Sequence, residues 1–185
     1  TSVGDGSSAL TPGVYLADRW ASDDGVAGNP IISRESFTVG QTDVPGNPDY
    51  FHRYDFPTNA PTGGAPLLKT KIEDVGTFAS QTVTLSFWVK GTMGGSLTPV
   101  LTQNFGSGGS SSVQTSSATF TLTGSWVKVV RTFSVPSISG KTVGSGNLLD
   151  VTFLMPLNQT GQFDLAQVQL EAGSVATPFR LAGGG

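Results

Sequence analysis

The chain has 185 residues, of which 37% are hydrophobic and 12% charged, with a formal net charge of −3 from 10 basic and 13 acidic side chains. It contains no Cys, which excludes disulfides, thiolate metal sites and a cysteine nucleophile together. The basic residues are scattered and form no cationic stripe, so nucleic acid is not expected as a partner.

The length suits one domain, whose single core would bury roughly 70% of the extended-chain surface. With 25 Gly and 11 Pro, the composition describes many short strands joined by tight turns. No apolar run reaches about eighteen residues and no basic leader is seen, so neither membrane insertion nor a self-carried export signal is expected. The start at Thr1 and the end at Gly183, Gly184 and Gly185 point to a piece of a longer polypeptide.

Residues 1–13 are rich in Gly and Ser and read as a flexible arm or linker, residues 14–180 as the folded domain, and residues 181–185 as a flexible tail. Strands are expected at Val14 to Trp20, Ile31 to Val39 and Tyr50 to Phe56, separated by the turn cluster Asp23 to Pro30 and the breaker Pro45 to Pro48. A second breaker runs from Asn59 to Pro66. Leu67 to Ile72 is ambiguous, and Ile72, Val75 and Gly76 suit a single helical turn.

Thr82 to Lys90 is the clearest strand, with Val83, Leu85, Phe87 and Val89 on one side and Thr84, Ser86, Trp88 and Lys90 on the other. Further strands are expected at Leu97 to Asn104, Val113 to Leu122, Trp126 to Val135, Leu148 to Pro156 and Gln162 to Leu170. The stretch Gly106 to Ser112 is expected to be a mobile loop, because small residues in a row have little to bury. In the last strand a strict period of two puts Ala166, Val168 and Leu170 in the core and Phe163, Leu165, Gln167, Gln169 and Glu171 on the outer side. The pattern predicts an all-β fold, an antiparallel two-sheet β-sandwich of jelly-roll type with at most one short helical turn.

Several segments, taken in order, resemble a domain that recurs in bacteriophage virion proteins, mostly tail fibres and related appendages. They are LADRW (Leu16 to Trp20), FHRYDF (Phe51 to Phe56), KIEDVGTFASQTVTLSFWVKG (Lys71 to Gly91), QNFGSGGSSS (Gln103 to Ser112), WVKVVRTFSVPSISGKTVGSG (Trp126 to Gly146) and FDLAQVQLEAGSVATPF (Phe163 to Phe179). Such domains are similar to jelly-roll carbohydrate-binding modules. The resemblance implies a non-enzymatic role on the exterior of a phage particle, in host attachment or virion structure, and a homotrimer.

Two departures limit what carries over. Where the family often has an extra strand with a WQRG-like segment, this chain has TSVGDGSSALTPGVY, and after TPF it ends in RLAGGG rather than continuing.

Sugar recognition on a sandwich needs a flat aromatic surface with amides or charges at its rim. Trp88, on the polar side of its strand beside Lys90, is the first candidate, packing under a loop being the other use of its ring. Gln167 and Gln169 are candidates on the closing strand, with an ordinary solvated sheet face as the alternative. Tyr50, His52 and Tyr54 alternate with Phe51, Arg53 and Asp55, so His52 and Tyr54 join the candidates if the aromatic set faces outward.

No catalytic residue is assigned, because a serine triad would rest on His52 alone and the adjacent acids Asp23/Asp24 and Glu73/Asp74 diverge in extended segments. No cofactor is expected, although Asp164 or Glu171 could serve a structural calcium. The favoured reading is adhesion to a host-surface glycan, strengthened by several copies. The competing ones are a structural decoration domain contacting other virion proteins, and a carbohydrate-binding module of a secreted polysaccharide-degrading enzyme.

Overall fold

The computed structural model describes residues 8–9, 20–22, 31–56, 67–156 and 158–180. In chain order the strands are β1 (Ser8–Ala9), β2 (Trp20–Ser22), β3 (Ile31–Ser36), β4 (Tyr50–Phe56), β5 (Leu67–Glu73), β6 (Thr82–Gly91), β7 (Ser96–Asn104), β8 (Val113–Ser116), β9 (Phe120–Thr121), β10 (Val127–Ser134), β11 (Leu148–Leu154) and β12 (Gly161–Ala172). One sheet runs β1-β3-β4-β12-β6-β10 and the other β2-β5-β11-β7-β8, with β9 also pairing with β7. Every strand pairing is antiparallel. The result is a two-sheet jelly-roll sandwich, in which the chain crosses repeatedly between the layers, apart from the β3–β4 hairpin and the β7–β8–β9 segment.

The core follows from alternation. Val83, Leu85, Phe87 and Val89 of β6 face Leu149, Val151 and Phe153 of β11 and Leu97 and Leu101 of β7. Phe87 bridges the sheets, its ring centroid 4.9 Å from that of Phe153 and 5.4 Å from that of Phe120. Arg131 ties the free edge of β10 to the other sheet, donating Nε to the carbonyl of Ala118 and Nη2 to that of Thr119.

Several expectations need correction. Ser8–Ala9, within the stretch read as an arm, pairs with β3. Val14 to Arg19, Asp23 to Pro30 and Asn59 to Pro66 lie outside the described residues. Leu67–Glu73 is strand β5, and Asp74 to Gln81 forms successive hydrogen-bonded turns, through Thr77 N–H to Asp74, Ala79 to Gly76 and Gln81 to Phe78, rather than a helix. The strand expected from Val113 to Leu122 is broken at Ser117 to Thr119.

The Gly106 to Ser112 loop is tied down. Ser107 and Ser145 exchange backbone hydrogen bonds, Ser110 N–H donates to Thr142, and Gly144 N–H donates to Phe105 at 2.7 Å. Two small-residue loops meet backbone to backbone, and glycine is what permits the approach: a Cβ on Gly144 would lie 2.1 Å from the Ser107 carbonyl oxygen. Small residues here make close packing possible instead of mobility.

The strict alternation expected for the closing strand fails at a β-bulge between Ala166 and Gln169, where Gln167 takes a left-handed φ of 50°. Before the bulge Phe163 and Leu165 point into the core, each 1% exposed, and after it Val168 and Leu170 do. One extra residue switches the parity of the strand, so Phe163 and Leu165 are buried and Val168 and Leu170 pack, partly buried, against the same core.

Candidate functional site

The outer face of the first sheet is read from its register. Across β12, β6 and β10 the rows are Ala166–Trp88–Lys128, Gln169–Ser86–Val130 and Glu171–Thr84–Thr132, with Asp164 beside Lys90 one row further on. Because Val83 to Val89 present their odd-numbered side chains to the core, these even-numbered side chains of β6 face away from it.

Part of this face is roofed by the chain after β12. Thr84 Oγ1 donates to the Gly173 carbonyl and Gly173 N–H donates to Thr82 O, both at 2.8 Å. Further on, the Thr177 N–H lies 3.1 and 3.2 Å from the two Glu171 carboxylate oxygens, Arg180 N–H donates to Gln169 Oε1 at 3.0 Å, and Gln169 Nε2 donates to Glu171 and Thr177. Thr84 and Ser86 are consequently buried. Burial works to raise the Glu171 pKa, but hydrogen bonds from Gln169 and Thr177, with Lys128 adding attraction, hold it below the ordinary carboxylate value.

Trp88 is half-buried in a groove of about 390 Å³ lined by Ser86, Lys128 and Gln167, by Pro45 and Gly46 of the β3–β4 loop, and by Ala176, Pro178 and Phe179 of the tail. A second groove, of about 430 Å³, shares Gly46, Gln167 and Phe179 with the first. It opens where the β4–β12 ladder stops at Leu165 opposite His52, and its other walls include Arg34, Tyr50, His52 and Asp49. Tyr50 is 50% exposed, with the Arg34 guanidinium carbon 4.5 Å from its ring centroid.

Gln167 separates the two grooves and donates Nε2 to the Pro45 carbonyl at 2.7 Å, pinning the β3–β4 loop. The loop holds its own shape through Gln41, whose amide bonds both the N–H and the carbonyl of the fully buried Val44 at 2.9 Å. The grooves are thus walled by a braced loop and a clamped tail over a rigid sheet.

Of the residues expected from sequence, Trp88, Gln167 and His52 meet at these grooves. Tyr54 does not: it is 1% exposed, stacked on Phe163 with centroids 4.6 Å apart, and burial pushes its phenol pKa up. Gln169 is a clamp for the tail. Lys90 lies on the same face but is held between Asp164, at 3.7 Å, and the rings of Phe51 and Trp126, at 5.7 and 5.0 Å from their centroids. Sequence reasoning missed Lys128, Arg34 and Phe179, which come to the grooves through cross-strand register and the fold-back of the tail.

The carboxylates considered for calcium have other partners. Asp164 receives Arg53 Nε and Nη2, each at 2.8 Å, and Glu171 receives the tail. Among the described residues no three His, Asp or Glu side chains converge. Asp49 is the one acid lining either groove among those residues, whereas glycoside hydrolysis by the usual route takes two.

Solved structures share this fold at low identity. The Family 11 Carbohydrate-Binding Module of the cellulosomal cellulase Lic26A-Cel5E of Clostridium thermocellum superposes with a TM-score of 0.55 at 17% identity, over 94% of this chain and 97% of that one. The Stig cyclase Fisc from Fischerella sp. TAU gives 0.59 at 12% identity, over 95% and 92%. The enzymatically active domain of bacteriophage CBA120 tailspike protein 4 gives 0.52 at 12% identity, over 92% of this chain but 21% of that one. Such identities establish the fold alone, which hosts more than one function. No protein-family model matches the chain, and no curated protein does.

Proposed function

We propose that this chain is a non-enzymatic carbohydrate-binding module whose site is the pair of joined grooves around Trp88, Gln167 and Tyr50. The observation that carries the reading is Trp88 itself, a half-buried indole of β6 that lines a groove together with Lys128 and Gln167 while the tail buries Thr84 and Ser86 in the rows beyond. Aromatic surface for the apolar face of a pyranose, with donors and acceptors at its margin, is the chemistry sugar recognition asks for.

The setting we propose is the exterior of a phage particle, in a tail fibre or related appendage that meets host-surface glycan as a homotrimer. Its support is the run of motifs from LADRW to the TPF segment. Weak single-site binding would be strengthened by several copies, which supply avidity. A module of a secreted polysaccharide-degrading enzyme is the second reading, supported by the fold shared with a module of a cellulase.

A structural decoration role would be favoured by exposed apolar residues such as Phe163 and Leu165, and both are in the core. A glycan array probed with a multivalent form of the domain tests the proposal: binding to at least one glycan class is expected, and none at high valency would overturn it.

A further inference from the structure

We infer that the ligand of these grooves is an anionic glycan, one whose sugar rings carry carboxylate groups, held by Lys128 in the first groove and Arg34 in the second; this rests on the carbohydrate-binding reading above. The argument is the fate of the cations. Arg53 is committed to Asp164, and Arg131 to the carbonyls of Ala118, Thr119 and Val130. Lys90 is held by Asp164 and two rings.

Arg34 and Lys128 are different. Each lines a groove, and among the described residues neither side chain makes a hydrogen bond or an ion pair with the protein; the Arg180 and Lys141 side chains make none either, but they line neither groove. Arg34 lies 4.5 Å from the Tyr50 ring centroid, a contact that orders the guanidinium and still leaves its N–H donors for an outside acceptor.

The local charge balance favours an anion. Glu171 keeps its negative charge and attracts Lys128, but it lines neither groove and its oxygens face the tail that they hold. Asp49 is the one acid lining either groove among the described residues, against two cations. A neutral polysaccharide would leave both cations unanswered, whereas a chain of uronic-acid type presents a carboxylate on each residue and matches the planar donor pair of an arginine. Because the protein as a whole is negative, attraction to a polyanion must come from this patch rather than from net charge.

The test is calorimetric titration of the intact domain with polygalacturonate, with its fully methyl-esterified form, and with dextran sulfate, at low and at physiological salt. Polygalacturonate is expected to bind at least tenfold more tightly than the ester, to weaken with salt, and to lose at least fivefold with Arg34→Gln and with Lys128→Gln, but not with Lys141→Gln on another part of the surface. Thermal unfolding of each variant confirms that the fold is retained. Tighter binding of dextran sulfate, lost with the same two substitutions, supports the anion site and assigns the charge to sulfate. Equal binding of ester and acid, or indifference to both substitutions, overturns this inference and leaves carbohydrate binding standing. Array silence toward every glycan overturns both.

Discussion

Arg53 and Asp164 face each other across β4 and β12, the guanidinium placing Nε and Nη2 each 2.8 Å from a separate carboxylate oxygen on a side chain 4% exposed. The hydrogen bonds hold the Arg53 pKa above its ordinary value against the opposing effect of burial. The Arg53 guanidinium carbon lies 5.4 Å from the centroid of the Phe51 ring, itself in contact with Phe37 and Trp126, so the pair borders an aromatic cluster on the outer face.

Arg53→Ala leaves Asp164 buried with only Lys90 nearby. Breaking a buried pair costs about 3–5 kcal/mol, and because Arg53 is partly exposed the loss expected here is ~2–3 kcal/mol. Urea midpoints measure it. Arg53→Lys should recover less than half, since a point charge cannot make both bonds; full recovery would show that charge alone suffices.

The Tyr54 hydroxyl is buried with no hydrogen-bond partner among the described residues. A buried unsatisfied hydroxyl costs about 1–3 kcal/mol, so Tyr54→Phe is expected to be neutral or stabilising. A clear fall in the denaturant midpoint would contradict this.

Gly144→Ala should destabilise. The new methyl would meet the Ser107 carbonyl oxygen at 2.1 Å and the Gly109 nitrogen at 2.6 Å, both backbone atoms that cannot swing aside. Overpacking of this kind costs ~1–3 kcal/mol or more, which a thermal scan resolves as several degrees. Gly124→Ala, with nothing within 4 Å of the new Cβ, is the matched control and should change little.

The tail clamp gives a pH dependence whose sign follows from Glu171. Its pKa in the folded state lies below the unfolded value, so its contribution to holding the tail is complete above the ordinary carboxylate pKa and is lost as pH falls through the lowered native one. The protection of the Thr177 and Arg180 amides, taken relative to the intrinsic exchange rate at each pH, should therefore fall on acidification. In Glu171→Gln that protection should already be low at neutral pH and change far less with acid. Unchanged protection in that variant would remove the carboxylate from the clamp.

Much of the sandwich was legible because apolar alternation is a local signal: Tyr50–Phe56 and Thr82–Gly91 fall within one residue of where the period of two places them. The bulge at Gln167 was not, because nothing in QVQL marks an inserted residue, and its parity switch carried Phe163 and Leu165 to the opposite face from the one expected. Tyr54 was lost as a site residue for a related reason, since whether a strand turns its aromatic or its charged set inward depends on the facing sheet. Trp88 was found because it breaks the polar pattern of its own face. Lys128 and Arg34 were missed because they reach the grooves through strand neighbours distant in sequence, which only the register supplies.

The most direct test is titration of a glycan retained on the array against the wild-type domain and Trp88→Ala, with folding of the variant checked by its unfolding transition. Loss of the stacking surface should weaken binding by about tenfold or more, equivalent to ~1.4 kcal/mol, with the transition shifted little. An unchanged affinity in a folded variant would contradict the assignment of this face as the binding site.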